Sequence, residues 1–486
     1  MAGMIREAND LATIRVSLDS SKNELDVVLK SMVGAETLAM VVVPAAILGI
    51  QDSLTAKTYR STPFNIPKDI VQKLTDPLVS VLQPHNPVWL QLDASTGHLA
   101  VVPWERLLQP SLQAPLLRIP NFLADPIYAS KNICVVLIAS APRAKGSPDF
   151  RSILVELVGQ LQRRFEHRVT VHVFVDRDSY DSVEARFIRD DSVLVAEPPP
   201  HDESNVDELN LEIQTKKVTG SARSISSPWL AWVRKVTRHT SVDLVHFICP
   251  GYFHGNQAAL ALAETPGVNE NNNWSHFIAA NEVVKFLDLV GAWALGLSAP
   301  RDDVWAIGLR LLADRLAWQR PGPLFLHDAC NESSEVVGEL YQFLFDATNQ
   351  QPIPPASSGL MFYTHPKRLR GMAGDSGAFD RTFSTQTGER SRGITVDRSD
   401  QLNRMTEKAG RVASASLENV SSPWQRSNRM QLDRIIGNTY VGNQTPSSGT
   451  LKGLTFLDDL YKQASKDSLA SPPVMQNRPD EGELES

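Results

Sequence analysis

Cysteine is scarce in this chain: three in 486 residues, Cys134, Cys249 and Cys330. An odd number at wide spacing makes neither a disulfide framework nor a four-ligand zinc site, and it suits a reducing compartment. A basic excess is also absent. The 48 Lys and Arg against 55 Asp and Glu leave a formal net charge of -7, with no long run of either sign. That excludes the electrostatic footprint of a nucleic-acid binder. Long apolar runs are missing as well. The most apolar stretch, LAMVVVPAAILGI (38–50), is too short to cross a bilayer and contains Pro44. The opening MAGMIREAND has no charged head followed by an apolar core, so no secretion signal is expected. The composition predicts a cytoplasmic protein with neither membrane nor nucleic acid as partner.

Three regions differ in pattern. Residues 1–128 mix strand-like runs (ATIRVSLD, AMVVVPAAI, VWLQLDAS, HLAVV) with one helix, KDIVQKLTDPLVSVL, and form a smaller β-rich part. Over residues 129–364 continuous apolar strands alternate with helices. NICVVLIAS, RVTVHVFV, VDLVHFIC, AWALGLSA and GPLFLHD read as strands. FRSILVELVGQLQRRF, SVEARFI, WLAWVRKVTRH, AANEVVKFLDLV, VWAIGLRLLADRLAWQ and SEVVGELYQFLFDATNQ read as helices. Such alternation predicts an α/β fold, a mostly parallel sheet flanked by helices and covered on both faces. The polar NVDELNLEIQTKKVTGSARSI reads as an insertion. Residues 365–486 hold few large apolar side chains, so a mostly disordered tail is expected. Within it QLDRIIGNTYV (431–441) and the amphipathic LKGLTFLDDLYKQA (451–464) are candidate docking segments for a protein partner.

In open α/β sheets chemistry gathers at the carboxyl ends of the strands. Three ends stand out: Cys249-Pro250-Gly251, Ala299-Pro300 and Asp328-Ala329-Cys330. If the first two strands are neighbours, Pro250 and Pro300 face each other. Four segments, in order, carry a resemblance. HLAVVPWERLLQ (98–109), DLVHFICPGYF, ALGLSAP and GLRLLADRLAWQRPGPLFLHDACNESSEVVGELYQFLF resemble the successive blocks of CHAT domains, caspase-like peptidase domains of the caspase–separase clan. The likeness spans roughly residues 85–350. It implies a caspase-like sheet and a His–Cys dyad, with the imidazole shuttling the proton and the thiolate attacking the carbonyl. The His position matches Pro250 and the Cys position matches Pro300. Neither can titrate or attack. Gly251 keeps an N–H that could hold an oxyanion, whereas proline has none. The resemblance with both positions replaced implies a pseudo-peptidase: a scaffold, regulator or peptide-binding component of an intracellular, bacterial signalling or defence system, with protein or peptide partners and neither cofactor nor metal.

Other residues compete for a role. Cys249, with His254 or His246 as base, could be a displaced nucleophile; against that, cysteine is a common core residue and neighbours on a strand point to opposite faces. His327, Asp328 and Cys330 could form a dyad or half a metal site; against that, two ligands make no zinc site, and Asp328 or Asn331 suits a helix cap. Ser298 lacks a Gly-x-Ser-x-Gly elbow. Asp302 and Asp303 could bind a basic side chain or cap the next helix. Tyr252 and His254 are placed at the cleft mouth. Trp104 and Glu105 read as packing and hydrogen-bonding anchors. The rival function is an active cysteine endopeptidase using Cys249 or Cys330 with His254 or His327.

Overall fold

The structure, a computed structural model, describes residues 11–19, 25–34, 36–50, 64–82, 86–92, 99–120, 132–141, 150–200, 225–254, 257–267, 275–300, 303–320, 322–345, 353–364 and 366. The insertion at 205–224, Asp302 and both candidate docking segments lie outside the described residues, as does the predicted tail except Pro366.

The amino-terminal part contributes strands β1 (Ala12–Asp19), β2 (Asp26–Val33), β3 (Glu36–Pro44), β4 (Val88–Leu92) and β5 (Leu116–Arg118), with helices α1 (Lys68–Val81) and α2 (Trp104–Leu112). In β1, Ala12, Ile14 and Val16 are buried while Arg15 is exposed, the period of two expected when one face is packed. Helix α1 buries Val71, Leu74, Thr75 and Leu78, one stripe at helical spacing. HLAVV is not a strand. Leu99–Val102 forms a buried turn into α2, and Leu99 O accepts the indole N–H of Trp104 at 2.8 Å.

Next come β6 (Ile133–Ala139), α3 (Phe150–Phe165), β7 (Val169–Val175), α4 (Arg177–Phe187), β8 (Val193–Val195), α5 (Pro228–Thr237) and β9 (Leu244–Ile248). They lead into β10 (Gly251–His254), β11 (Gln257–Ala263), β12 (Ser275–Ala279), α6 (Ala280–Val290) and β13 (Ala294–Ala299). Helix α7 (Asp303–Gln319), β14 (Leu324–Asp328), α8 (Ser334–Phe345) and β15 (Leu360–Tyr363) complete the described elements. Helix α4 starts earlier than SVEARFI because Asp176 caps it, its carboxylate accepting Ser179 N–H at 2.9 Å.

Twelve strands form one sheet in the order β3-β2-β1-β4-β5-β15-β14-β13-β9-β6-β7-β8. Eight of its eleven neighbour pairs are parallel. The sheet is therefore mostly parallel, and helices pack on both faces. The buried side chains of α3, α4 and α8 form one core; those of α1, α2, α5, α6 and α7 belong to the other. This double cover is why β6, β9, β13 and β14 are buried at every position rather than alternating. Three neighbour pairs are antiparallel: β1–β2 and β2–β3 at one edge, and β14–β15 inside the sheet, where β15 is antiparallel to β14 but parallel to β5. Strands β6 to β9, β13 and β14 run one way, and β1, β4, β5 and β15 run the other. Strands β10, β11 and β12 make a separate antiparallel sheet that leaves the tip of β9.

Candidate functional site

Strands β9 and β13 are parallel neighbours, with Gly296 beside His246 and Ser298 beside Ile248. Pairing continues past the strand end, where Cys249 N–H donates to Ser298 O at 3.3 Å. On the other side of β13, Ala329 N–H donates to Ala299 O at 3.2 Å. The tips of β9, β13 and β14 therefore stand side by side at one rim, and Pro250 and Pro300, both buried, follow the first two.

The candidate residues separate around these tips. Cys249 is fully buried in the core on the α5–α6–α7 side, and burial pushes its thiol pKa up. A thiol held protonated is a poor nucleophile. Cys330 is exposed in the turn after β14. Its N–H donates to Asp328 Oδ1 at 3.3 Å, and its thiol donates to Pro300 O at 3.4 Å, which seats the sulfur at the end of β13. Asp328 also accepts from Asn331 Nδ2 at 2.8 Å and pairs with Arg106 at 2.7 Å. Asp328 thus holds the turn after β14 and ties it to α2. Gly251 is buried, and a Cβ at Gly308 would lie 2.7 Å from its carbonyl carbon and 2.8 Å from Tyr252 N, so α7 lies directly on that peptide. Tyr252 stacks on Phe277 at 4.5 Å between ring centroids. His254 is half-buried at the end of β10, opposite Gln257. Glu105 and Trp104 anchor α2: Trp104 is buried, and Glu105 accepts two bonds from Arg118, at 2.7 and 3.0 Å.

Beneath the tips lies a polar chain. Tyr341 OH is 2.6 Å from His246 Nδ1; His246 Nε2 is 2.9 Å from Ser298 Oγ; Ser298 Oγ is 3.3 Å from His327 Nδ1; His327 Nε2 is 3.3 Å from Glu332 O. His246 and His327 are buried, and burial lowers both pKa values. For His246 the value falls to about 3, with His327 adding to the effect. Neutral imidazoles fix every direction. Glu332 O can only accept, so His327 donates through Nε2 and accepts through Nδ1. Ser298 then donates to His327 and accepts from His246 Nε2, leaving His246 Nδ1 to accept from Tyr341. Each group donates once, and the chain ends on a peptide carbonyl. Gly296 makes room for it: a Cβ there would fall 2.7 Å from His246 Cγ and 2.5 Å from Phe325 Cζ. Ser298 therefore has imidazole partners although it lacks an elbow, but it is fully buried and no substrate reaches it.

At the opposite rim, where β4 and β5 end, a small cavity of about 10 Å³, room for about one water, lies beside Arg118, Asp314, Trp318 and Tyr363. Tyr363 OH accepts from Arg118 at 3.2 Å and donates to Asp314 Oδ1 at 2.7 Å. Asp314 Oδ2 is buried with no hydrogen-bond partner, and burial raises the Asp314 pKa.

Sequence reasoning left Tyr341, Arg118, Asp314 and Tyr363 out of any site. The available signal was a polar residue inside an otherwise apolar strand or helix face, as with Arg118 and Tyr363. Among the described residues no group of three or more His, Cys, Asp or Glu could hold a metal, and no helix is long and apolar enough to cross a membrane. Comparison with protein-family models, with curated proteins and with solved structures finds no match to this chain.

Proposed function

We propose that the chain is a non-catalytic relative of the CHAT-type, caspase-like peptidases, and that it scaffolds or regulates protein or peptide partners in a cytoplasmic bacterial signalling or defence system. One observation carries the reading. The two strands whose ends match the dyad positions are adjacent and parallel, so the dyad would be assembled here, and prolines stand at both places. The nearby buried groups support it. His246, Ser298 and His327 are committed to one another, and Cys249 is sealed in the core.

The test is reversion. The native chain and the Pro250→His, Pro300→Cys double variant are assayed against a mixed peptide library. An inert native chain and a cutting variant are expected. A native chain that cuts overturns the non-catalytic reading; an inert variant overturns the peptidase ancestry of the frame.

A second reading rests on Cys330, whose exposed thiol meets Pro300 O. A displaced nucleophile there would alkylate with iodoacetamide far faster than a model thiol. Under the first reading Cys330 alkylates at an ordinary rate.

A further inference from the structure

The two edges of the twelve-stranded sheet are built differently. At one edge, β8 has only three residues, and Glu197-Pro198-Pro199-Pro200 follow closely. Short length and proline are standard protection against strand addition. At the other edge, β3 runs nine residues, Glu36–Pro44, and between its two ends it carries neither charge nor proline. Met40 and Val42 are 57% and 48% exposed and lie on one face, opposite to that of buried Val43.

The backbone of β3 also points outward at these two residues. Ala45 N–H donates to Leu25 O at 2.8 Å, toward β2. Alternation then turns the N–H and C=O of Val42 and Met40 away from β2, toward the open edge. The exposed apolar side chains and the backbone groups that no described strand pairs thus belong to the same residues.

We propose that β3 joins two copies of this chain edge to edge. The strands run antiparallel about a two-fold axis at Val41, so Met40 of each copy faces Val42 of the other. In this register each Met40–Val42 pair exchanges two N–H···O bonds. The apolar side chains meet across the seam, and no charged residue of one strand faces a like charge on the other. Pro44, which has no N–H, stays outside the central bonds. A second copy fits because the edge is its own complement, as a two-fold interface requires.

The test is sedimentation equilibrium of the full chain over a wide concentration range, beside two variants. The native chain is expected to dimerise. Val42→Lys places a charge in the seam and should weaken the dimer about tenfold or more. Met40→Lys combined with Val42→Glu sets lysine against glutamate only in the proposed register, and should restore the dimer. Both substituted positions, Met40 and Val42, are solvent-facing, so circular dichroism melts are expected to stay close to native. A native chain that is monomeric at every concentration overturns the proposal, whether another segment of this chain or a foreign strand covers the edge. So does a Val42→Lys chain that dimerises as well as the native one. A double variant that stays dissociated overturns the register.

Discussion

At the tips of β9 and β13 stand Pro250 and Pro300, which can neither titrate nor attack. Two residues below Pro300, Ser298 sits between two imidazoles. The ends of β9 and β13 carry prolines, and the layer beneath them, which no substrate reaches, carries the polar chain. The comparison teaches that polar side chains in this sheet serve to fix strands against one another. His246, Ser298 and His327 come from three adjacent strands, and Tyr341 links them to α8. The Arg118–Glu105 pair does the same work at the other rim.

If that is their role, removing one partner costs stability in proportion to burial. The largest effect is expected at Glu105. The pair is almost fully shielded, with side-chain exposures of 1% and 4%, so Glu105→Gln leaves Arg118 as a buried charge without its counter-ion. Urea unfolding should show a loss of about 3–5 kcal/mol. Ser298→Ala should come next. It leaves an imidazole N–H and an imidazole nitrogen without partners, at a cost of about 1–3 kcal/mol. The smallest effect is expected at Arg106→Ala, which breaks a half-exposed pair with Asp328 and should cost no more than about 1 kcal/mol. A larger loss at Arg106 than at Ser298 would reverse the order and break the comparison.

Acid sharpens it further. Unfolded His246 titrates near the usual value of about 6.5, whereas the folded group resists protonation down to about 3. The unfolded state therefore binds more protons between those values. The stability from keeping His246 neutral is complete above about 6.5 and is lost as pH falls through that window. In His246→Phe the stability measured between pH 7 and pH 5 should fall less steeply than in the native chain. An unchanged slope would show that other groups carry the acid sensitivity.

The alternation of strands and helices was legible because doubly covered strands are continuous apolar runs, as in NICVVLIAS and VDLVHFIC. HLAVV misled because a short apolar run looks the same whether it is a strand or a buried turn. The alanine-rich QAALALA shows no strand signal of its own, yet pairing on both sides makes it β11. At the site, the strand ends brought Pro250 and Pro300 together only on the condition that their strands were neighbours, and the β9–β13 pairing supplies that condition. The histidine chain was not legible, because Ser298 lies 52 positions from His246 and 29 from His327. Only the strand register brings them together, and a missing Cβ at Gly296 lets the ring in.

The reversal at β15 bears on how the chain is made. Among the described strands, β15 is the one that pairs with both parallel blocks, through Leu324–Tyr363 on one side and Arg118–Tyr363 on the other. Arg118 and Tyr363 are 245 positions apart. During synthesis the pairing of β5 with β15 therefore waits until Leu360–Tyr363 has been made. A stop codon just before Leu360 would leave β5 and β14 without the strand that pairs them, with the shared core and the Arg106–Asp328 pair to hold the two blocks. Such exposed strand flanks draw chaperones and proteases.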